Sequence, residues 1–179
     1  MSIEKEVIAI CNMPKCKREF KNFIYDEEKS KLNDETLYKC QNCGALRPYD
    51  NLEIMKDIAL ALIKRGNRVF LVKRKFQPFE NYWAFPGGGK EPNEHLKETA
   101  IRETKEETNL DIEIIKKLGN FIGKGDNGKK ANLNIFFCKT DSIRYNVNKT
   151  ECLGGKWYDI NYALKNLQII PQLKKYLTK

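Results

Sequence analysis

What this 179-residue chain lacks narrows it first. Histidine occurs once, as His95. One histidine cannot build a histidine-rich metal centre, and its place on the exposed first turn of a predicted helix excludes a Ser-His-Asp site. No apolar run is long enough to cross a bilayer, so no membrane partner is expected. The opening MSIEKEVIAICNMPKC begins with acidic residues and carries too short an apolar run for a secretory signal, which predicts a cytoplasmic protein. Internal repeats and low-complexity tracts are missing too, leaving an ordinary globular domain with a small module attached. Cysteine is scarce beyond residue 50: four of the six come before it. With nothing pointing to secretion, metal binding or free thiols is favoured over disulfides.

Acidic residues are outnumbered, 24 against 33 Lys and Arg, for a net charge of +9. Residues 1–50 hold nine of each sign, so the whole basic surplus lies in 51–179. Such a surplus favours anionic partners, phosphorylated metabolites or nucleic acid, beside the plainer reading of a lysine-rich solvated surface.

Two parts follow from these shifts, 1–50 and 51–179. The second reads as mixed α/β. DIALALIKRGNRVFLVKRKF sets two aliphatic runs about Gly66-Asn67, a two-residue hairpin signal. YWAFPGGG gives a short strand ended by Pro86 and three glycines. Asn93 is the expected N-cap of a helix running to about Thr108. DIEIIKKLGNFI is a strand and GKGDNGKK a flexible loop. In ANLNIFFCKT, Leu133, Ile135 and Phe137 alternate with Asn132, Asn134 and Phe136, predicting a strand with one apolar face. GKWYDI is a last short strand, and the C-terminal segment is a helix or helix pair, broken near Pro171.

The helix is dense in glutamate. Glu103, Glu106 and Glu107 stand at i, i+3 and i+4, about 5–6 Å apart between Cβ atoms. Like charges that close raise one another's pKa unless compensated by a cation. Arg102 and Lys105 are candidates. So is a divalent metal, since clustered carboxylates select Mg²⁺ or Mn²⁺. Gly87, Gly88 and Gly89 stand just before the helix, where a bare backbone can approach a ligand. Cations flank the segment: Lys64, Arg65, Arg68, Lys73, Arg74 and Lys75 before, Lys116, Lys117, Lys124, Lys129 and Lys130 after. Carboxylates to hold metal, set among cations to hold phosphate, are what metal-assisted phosphoryl chemistry requires.

These residues resemble the Nudix hydrolase box, G-x5-E-x7-R-E-U-x-E-E-x-G-U. Gly88, Glu94, Arg102, Glu103, Glu106 and Glu107 match it at the right spacing. Thr104 stands where the family has an aliphatic residue and Asn109 where it has glycine; Asn is the next best residue for a left-handed C-cap. WAFPGG and KWYDI extend the likeness over about residues 54–179. The resemblance implies an α/β (α+β) fold, a Nudix α/β/α sandwich with a mixed sheet. It implies that Glu103, Glu106 and Glu107 bind Mg²⁺ or Mn²⁺ with the Gly87 carbonyl, that Arg102 orients Glu103, and that Glu94 fixes the loop–helix geometry. A later glutamate often serves as base or further ligand, a position Glu151 fits beside its plain surface reading. Arg74 resembles a residue that meets substrate phosphate, against a plain strand-end charge. Cys138 and Cys152 read as ordinary thiols.

In the first part, Cys11-x4-Cys16 and Cys40-x2-Cys43 form two pairs suited to a closed tetrahedral, structural Zn²⁺ site in a zinc ribbon. So small a module cannot bury a large core, and a metal would supply folding energy. A zinc ribbon before a Nudix domain is similar to the NADH and ADP-ribose pyrophosphatase groups, although both the NADH-group signature and the proline past the box that marks many ADP-ribose enzymes are absent, which leaves the substrate open. The leading expectation is hydrolysis of a nucleoside diphosphate linked to another moiety, ADP-ribose or a dinucleotide. A nucleoside triphosphate or RNA 5′-end pyrophosphohydrolase and a catalytically silent binding module are the alternatives. RNA and a second copy of the chain are admitted as partners.

Overall fold

The computed structural model describes residues 6–17, 19–33, 36–52, 54–125 and 128–178. The chain divides into two compact units, Met1–Met55 and Lys56–Lys179. Ile54 and Met55 run with the first: Ile54 bridges Ala9, and the Met55 amide donates to the Ile8 carbonyl at 2.7 Å.

The first unit is an antiparallel sheet in chain order, β1 (Glu6–Cys11), β2 (Glu19–Tyr25), β3 (Leu37–Cys40) and β4 (Leu46–Pro48), with helix α1 (Glu27–Asn33) between β2 and β3. Its core is small: Val7, Ala9, Phe23 and Tyr38 close around Cys11, Cys16 and Cys40. So few apolar side chains give little stabilisation at about 25 cal/mol per Å² of buried surface.

The second unit begins with the predicted hairpin, β5 (Lys56–Arg65) and β6 (Arg68–Arg74). Its turn has positive φ at Gly66 (57°) and not at Asn67, the pattern of a type II′ turn. There follow β7 (Trp83–Ala84), β8 (Gly87–Gly89), α2 (Leu96–Thr108), β9 (Glu113–Lys124), β10 (Lys130–Lys139), β11 (Cys152–Asp159), α3 (Ile160–Asn166) and α4 (Pro171–Leu177). The main path of the sheet is β11-β6-β5-β10-β9; β7 pairs with β6 and β8 with β5. β5 and β10 run parallel and the other pairs antiparallel, so the sheet is mixed as expected.

Both faces of β5 are buried. Ile58, Leu60 and Leu62 pack towards α3 and α4, with Ile160, Ala163, Leu173 and Leu177. Ala59, Ala61 and Ile63 pack towards α2, with Ala100. The three-layer α/β/α sandwich follows, with small alanines letting α2 lie close to the sheet. Among the described residues, no helix is long and apolar enough to cross a membrane.

Three expectations are corrected. The N-cap of α2 is His95, not Asn93: Asn93 takes a left-handed turn (φ 68°), and the His95 amide donates to Glu98 Oε2 at 2.6 Å. The glycines after Pro86 do not simply end a strand; they form β8, whose lack of side chains lets it lie against β5. β10 has no solvent face. Leu133 and Ile135 join one core and Phe136 and Cys138 the other, while Asn132 and Asn134 are buried and donate to Asp57 Oδ1 at 2.7 and 3.3 Å. Of the expected GKGDNGKK loop, Asp126 and Asn127 lie outside the described residues.

Candidate active site

Helix α2 presents two faces. Thr99, Ala100, Thr104 and Thr108 are buried against the sheet. Thr104 turns inward as its packing position demands, but its hydroxyl has no hydrogen-bond partner among the described residues. The helix ends at Asn109 in the left-handed conformation (φ 57°), as the substitution for glycine predicts.

Arg102 organises the exposed side. Its guanidinium donates to Glu94 Oε1 at 2.8 Å and Oε2 at 3.1 Å, to the Gly89 carbonyl at 3.0 Å, to Glu103 Oε1 at 2.9 Å and to Glu106 Oε2 at 3.1 Å. One cation therefore ties the loop after β8 to the helix. The Arg102 guanidinium beside Glu94 pulls its carboxyl down to about 2, so Glu94 is ionised and committed to structure.

Glu107 is enclosed. Its Oε2 accepts from the Gly87 amide at 2.9 Å, and its Oε1 lies 3.5 Å from Cys152 Sγ. Burial, reinforced by the charges of Glu103 and Glu151, outweighs those hydrogen bonds and pushes Glu107 up to about 8. Burial also raises Glu103 despite its bond to Arg102. Burial and the Glu107 carboxylate push the Cys152 thiol up, so it stays protonated and donates. Gly88 sits against Glu103, and a Cβ there would overlap the carboxylate.

A cleft of about 200 Å³ gathers these groups: Glu103, Glu107 and Glu151 face it together with Arg74 and Lys75. The structure thus brings Glu151, on the turn just before β11, to the cleft beside α2 and brings Arg74, at the end of β6, to the same cleft. Glu106 is half exposed on Arg102 and does not line it. Lys75, read from the sequence only as one of several flanking cations, and Cys152, read as an ordinary thiol, line the same cleft; the position of Cys152 directly after Glu151 was the available signal. A narrower apolar recess of about 40 Å³ shares Arg74, Phe85, Gly87 and Gly88 with the cleft and is walled by Phe79 and Phe121.

Glu103, Glu106 and Glu107 offer oxygen donors alone, which suits a hard dication such as Mg²⁺. Burial raises two of them, Glu107 strongly, a cost that a bound cation would offset. Arg102 meanwhile holds Glu103 and Glu106, so the three carboxylates do not converge on one point. Among the described residues, the groups of His, Cys, Asp or Glu whose ligand atoms all lie within 4.8 Å of one another come to one: Cys11, Cys16, Cys40 and Cys43. Cys11 and Cys43 sulfurs are 3.6 Å apart, and those of Cys16 and Cys40 3.8 Å. A tetrahedron with Zn–S bonds of about 2.3 Å has sulfurs about 3.8 Å apart, so four thiolates here fit Zn²⁺.

Comparison with known proteins adds the lineage. A family model described as NUDIX domain matches residues 55–178. Human "Nucleoside diphosphate-linked moiety X motif 6" is 29% identical over 152 residues, 83% of this chain and 48% of that protein. "ADP-ribose pyrophosphatase" of Methanocaldococcus jannaschii is 41% identical over 58 residues, 32% of this chain and 34% of that protein. The matches thus span about half and a third of those relatives' lengths. Among solved structures, a NUDIX hydrolase from Nitrosomonas europaea superposes with a TM-score of 0.60 at 24% identity, covering 93% of this chain and 91% of that one, a likeness of fold.

Proposed function

This chain belongs to the NUDIX family, and on that premise we propose that it is a metal-dependent pyrophosphohydrolase for a nucleoside diphosphate linked to a second moiety, of the ADP-ribose or dinucleotide type. The observation that carries the reading is the cleft in which Glu103, Glu107 and Glu151 face Arg74 and Lys75. Glu103, Glu106 and Glu107 would hold Mg²⁺ or Mn²⁺ with the Gly87 carbonyl. When bound, the metal supplies Lewis-acid polarisation of the phosphoanhydride and a lowered pKa for the attacking water. Arg102 orients Glu103 and Glu106. Arg74 and Lys75 would attract the diphosphate, and Glu151, which lines the same cleft as Glu107, would take a proton from water. The recess walled by Phe79 and Phe121 adds a small apolar surface beside the cleft. The ADP-ribose pyrophosphatase relative, matched over 58 residues, supports the ADP-ribose type. In the first unit, Cys11, Cys16, Cys40 and Cys43 would hold a structural Zn²⁺.

The test incubates the purified chain with Mg²⁺ or Mn²⁺ and ADP-ribose, NADH, FAD, diadenosine polyphosphates, nucleoside triphosphates and 5′-triphosphorylated RNA. Glu106→Gln serves as control. Turnover of ADP-ribose or a dinucleotide that vanishes in the variant supports the reading. Turnover confined to triphosphates or RNA ends replaces the substrate class, and metal-independent turnover overturns the site.

A further inference from the structure

Glu151 faces Glu103 and Glu107 across the cleft, yet it is exposed and sits on a turn. A free glutamate explores several rotamers there, and holding one is an entropic cost that something must offset. We propose that Asn148 is the positioning residue that fixes the Glu151 carboxylate over the cleft. The inference rests on the role given to Glu151 above.

The segment from Asn146 to Cys152 is strapped to the last turn of α2. The Asn146 amide donates to the Thr108 carbonyl and the Asn148 amide to the Glu107 carbonyl, both at 2.8 Å. These bonds use carbonyls that the helix end leaves without intrahelical partners. The other side of the strap is held by Lys75, whose Nζ donates to the carbonyls of Lys149 at 3.1 Å and Thr150 at 3.2 Å. Asn148 is the hub of this turn. Its Oδ1 accepts from the Thr150 amide at 3.0 Å and the Thr150 hydroxyl at 2.7 Å. Its carbonyl accepts from the amides of Glu151 at 3.2 Å and Cys152 at 2.9 Å. The remaining donor, Nδ2, points at Glu151 Oε1 at 2.8 Å.

The geometry has a direct consequence. Asn148 is bonded through its main chain to Glu107 and through its side chain to Glu151, so one residue sets the spacing of the two carboxylates. An amide suits the task where a cation would not, because it orients Glu151 without neutralising it. Aspartate at 148 would keep the acceptor that Thr150 uses and lose the donor.

The test uses the full chain with Mg²⁺ and ADP-ribose. Asn148→Asp keeps the turn and removes the tether; it lowers kcat roughly ten-fold or more while KM stays within about two-fold, as expected when a reacting group is misplaced. Asn148→Ala, which removes the Thr150 acceptor as well as the tether, lowers kcat at least as far. In a Glu151→Gln background, either change at 148 alters kcat by less than about two-fold, because the group it positions is already disabled. Equal losses in both backgrounds, or wild-type kcat in Asn148→Asp, overturn the proposal. If Glu151→Gln alone has no effect, the role of Glu151 fails and the proposal with it. A readout without turnover runs beside these: in the metal-free chain, Glu151→Ala shifts the Asn148 side-chain amide resonances in ¹⁵N–¹H spectra. Unmoved resonances overturn the proposal whatever the substrate turns out to be.

Discussion

Metal-free protein should lose stability as pH rises through neutrality, and Glu107 should be the reason. Its carboxyl is buried, with the Gly87 amide and the Cys152 thiol as donors, and burial lifts it from 4.5 to about 8. Below 4.5 the group is protonated both folded and unfolded. Between 4.5 and 8 the folded state binds a proton that the unfolded chain has released, so raising the pH favours unfolding. The interval of 3.5 pH units, at about 1.36 kcal/mol each, sets a ceiling of roughly 5 kcal/mol, a large share of the 5–15 kcal/mol typical of a domain. Glu103, also raised, acts in the same direction. Glu94, depressed to about 2, acts oppositely and below 4.5, outside this window. Both tryptophans, Trp83 and Trp157, lie in the second unit, so urea denaturation followed by their fluorescence reports that unit. The assay runs between about pH 5 and pH 8.5 in buffer freed of Mg²⁺ and Mn²⁺. Stability should fall across that range by several kcal/mol, and Glu107→Gln, which still accepts from Gly87, should remove most of the slope. Saturating Mg²⁺ at the alkaline end should restore about 2.7 kcal/mol at a hundred times its Kd. A flat wild-type profile, or an equal slope in the variant, would refute the reasoning.

Gly87→Ala should unfold or severely weaken the second unit, by roughly 2–6 kcal/mol, because φ is 141° and a Cβ would overlap the Ala59 carbonyl. Gly66→Ala, at φ 57° in open space, should cost about 1–2 kcal/mol; denaturant titration separates the two. Thr104→Val replaces a buried hydroxyl that has no partner among the described residues and should stabilise by about 1–3 kcal/mol without changing kcat, measured by melting and turnover. The purified chain should carry one Zn²⁺, read by elemental analysis, and Cys40→Ser should lose it along with amide protection in β1 to β4.

Much of the architecture was written locally. The β5–β6 hairpin follows from two aliphatic runs about Gly66, the end of α2 from Asn109, and the break before α4 from Pro171, because turns and caps are decided by a few residues' φ preferences. The carboxylates of α2 were legible for the same reason: helical spacing alone puts Glu103, Glu106 and Glu107 together. Cys11, Cys16, Cys40 and Cys43 were legible as two short pairs. What the sequence could not decide depends on side chains meeting from distant segments. His95 took the cap from Asn93 because the tight turn after β8 placed Asn93 in the left-handed region. The second buried face of β10 exists because α2 and the C-terminal helices cover opposite sides of the sheet, and alternation in one strand does not show how many layers lie over it. Glu151, Cys152 and Lys75 reach the cleft through the antiparallel pairing of β11 with β6 and the strap on α2. Residue types and local geometry were set by the chain itself; which carboxylates are buried, and therefore which resist ionisation, was decided when tertiary packing removed water from them.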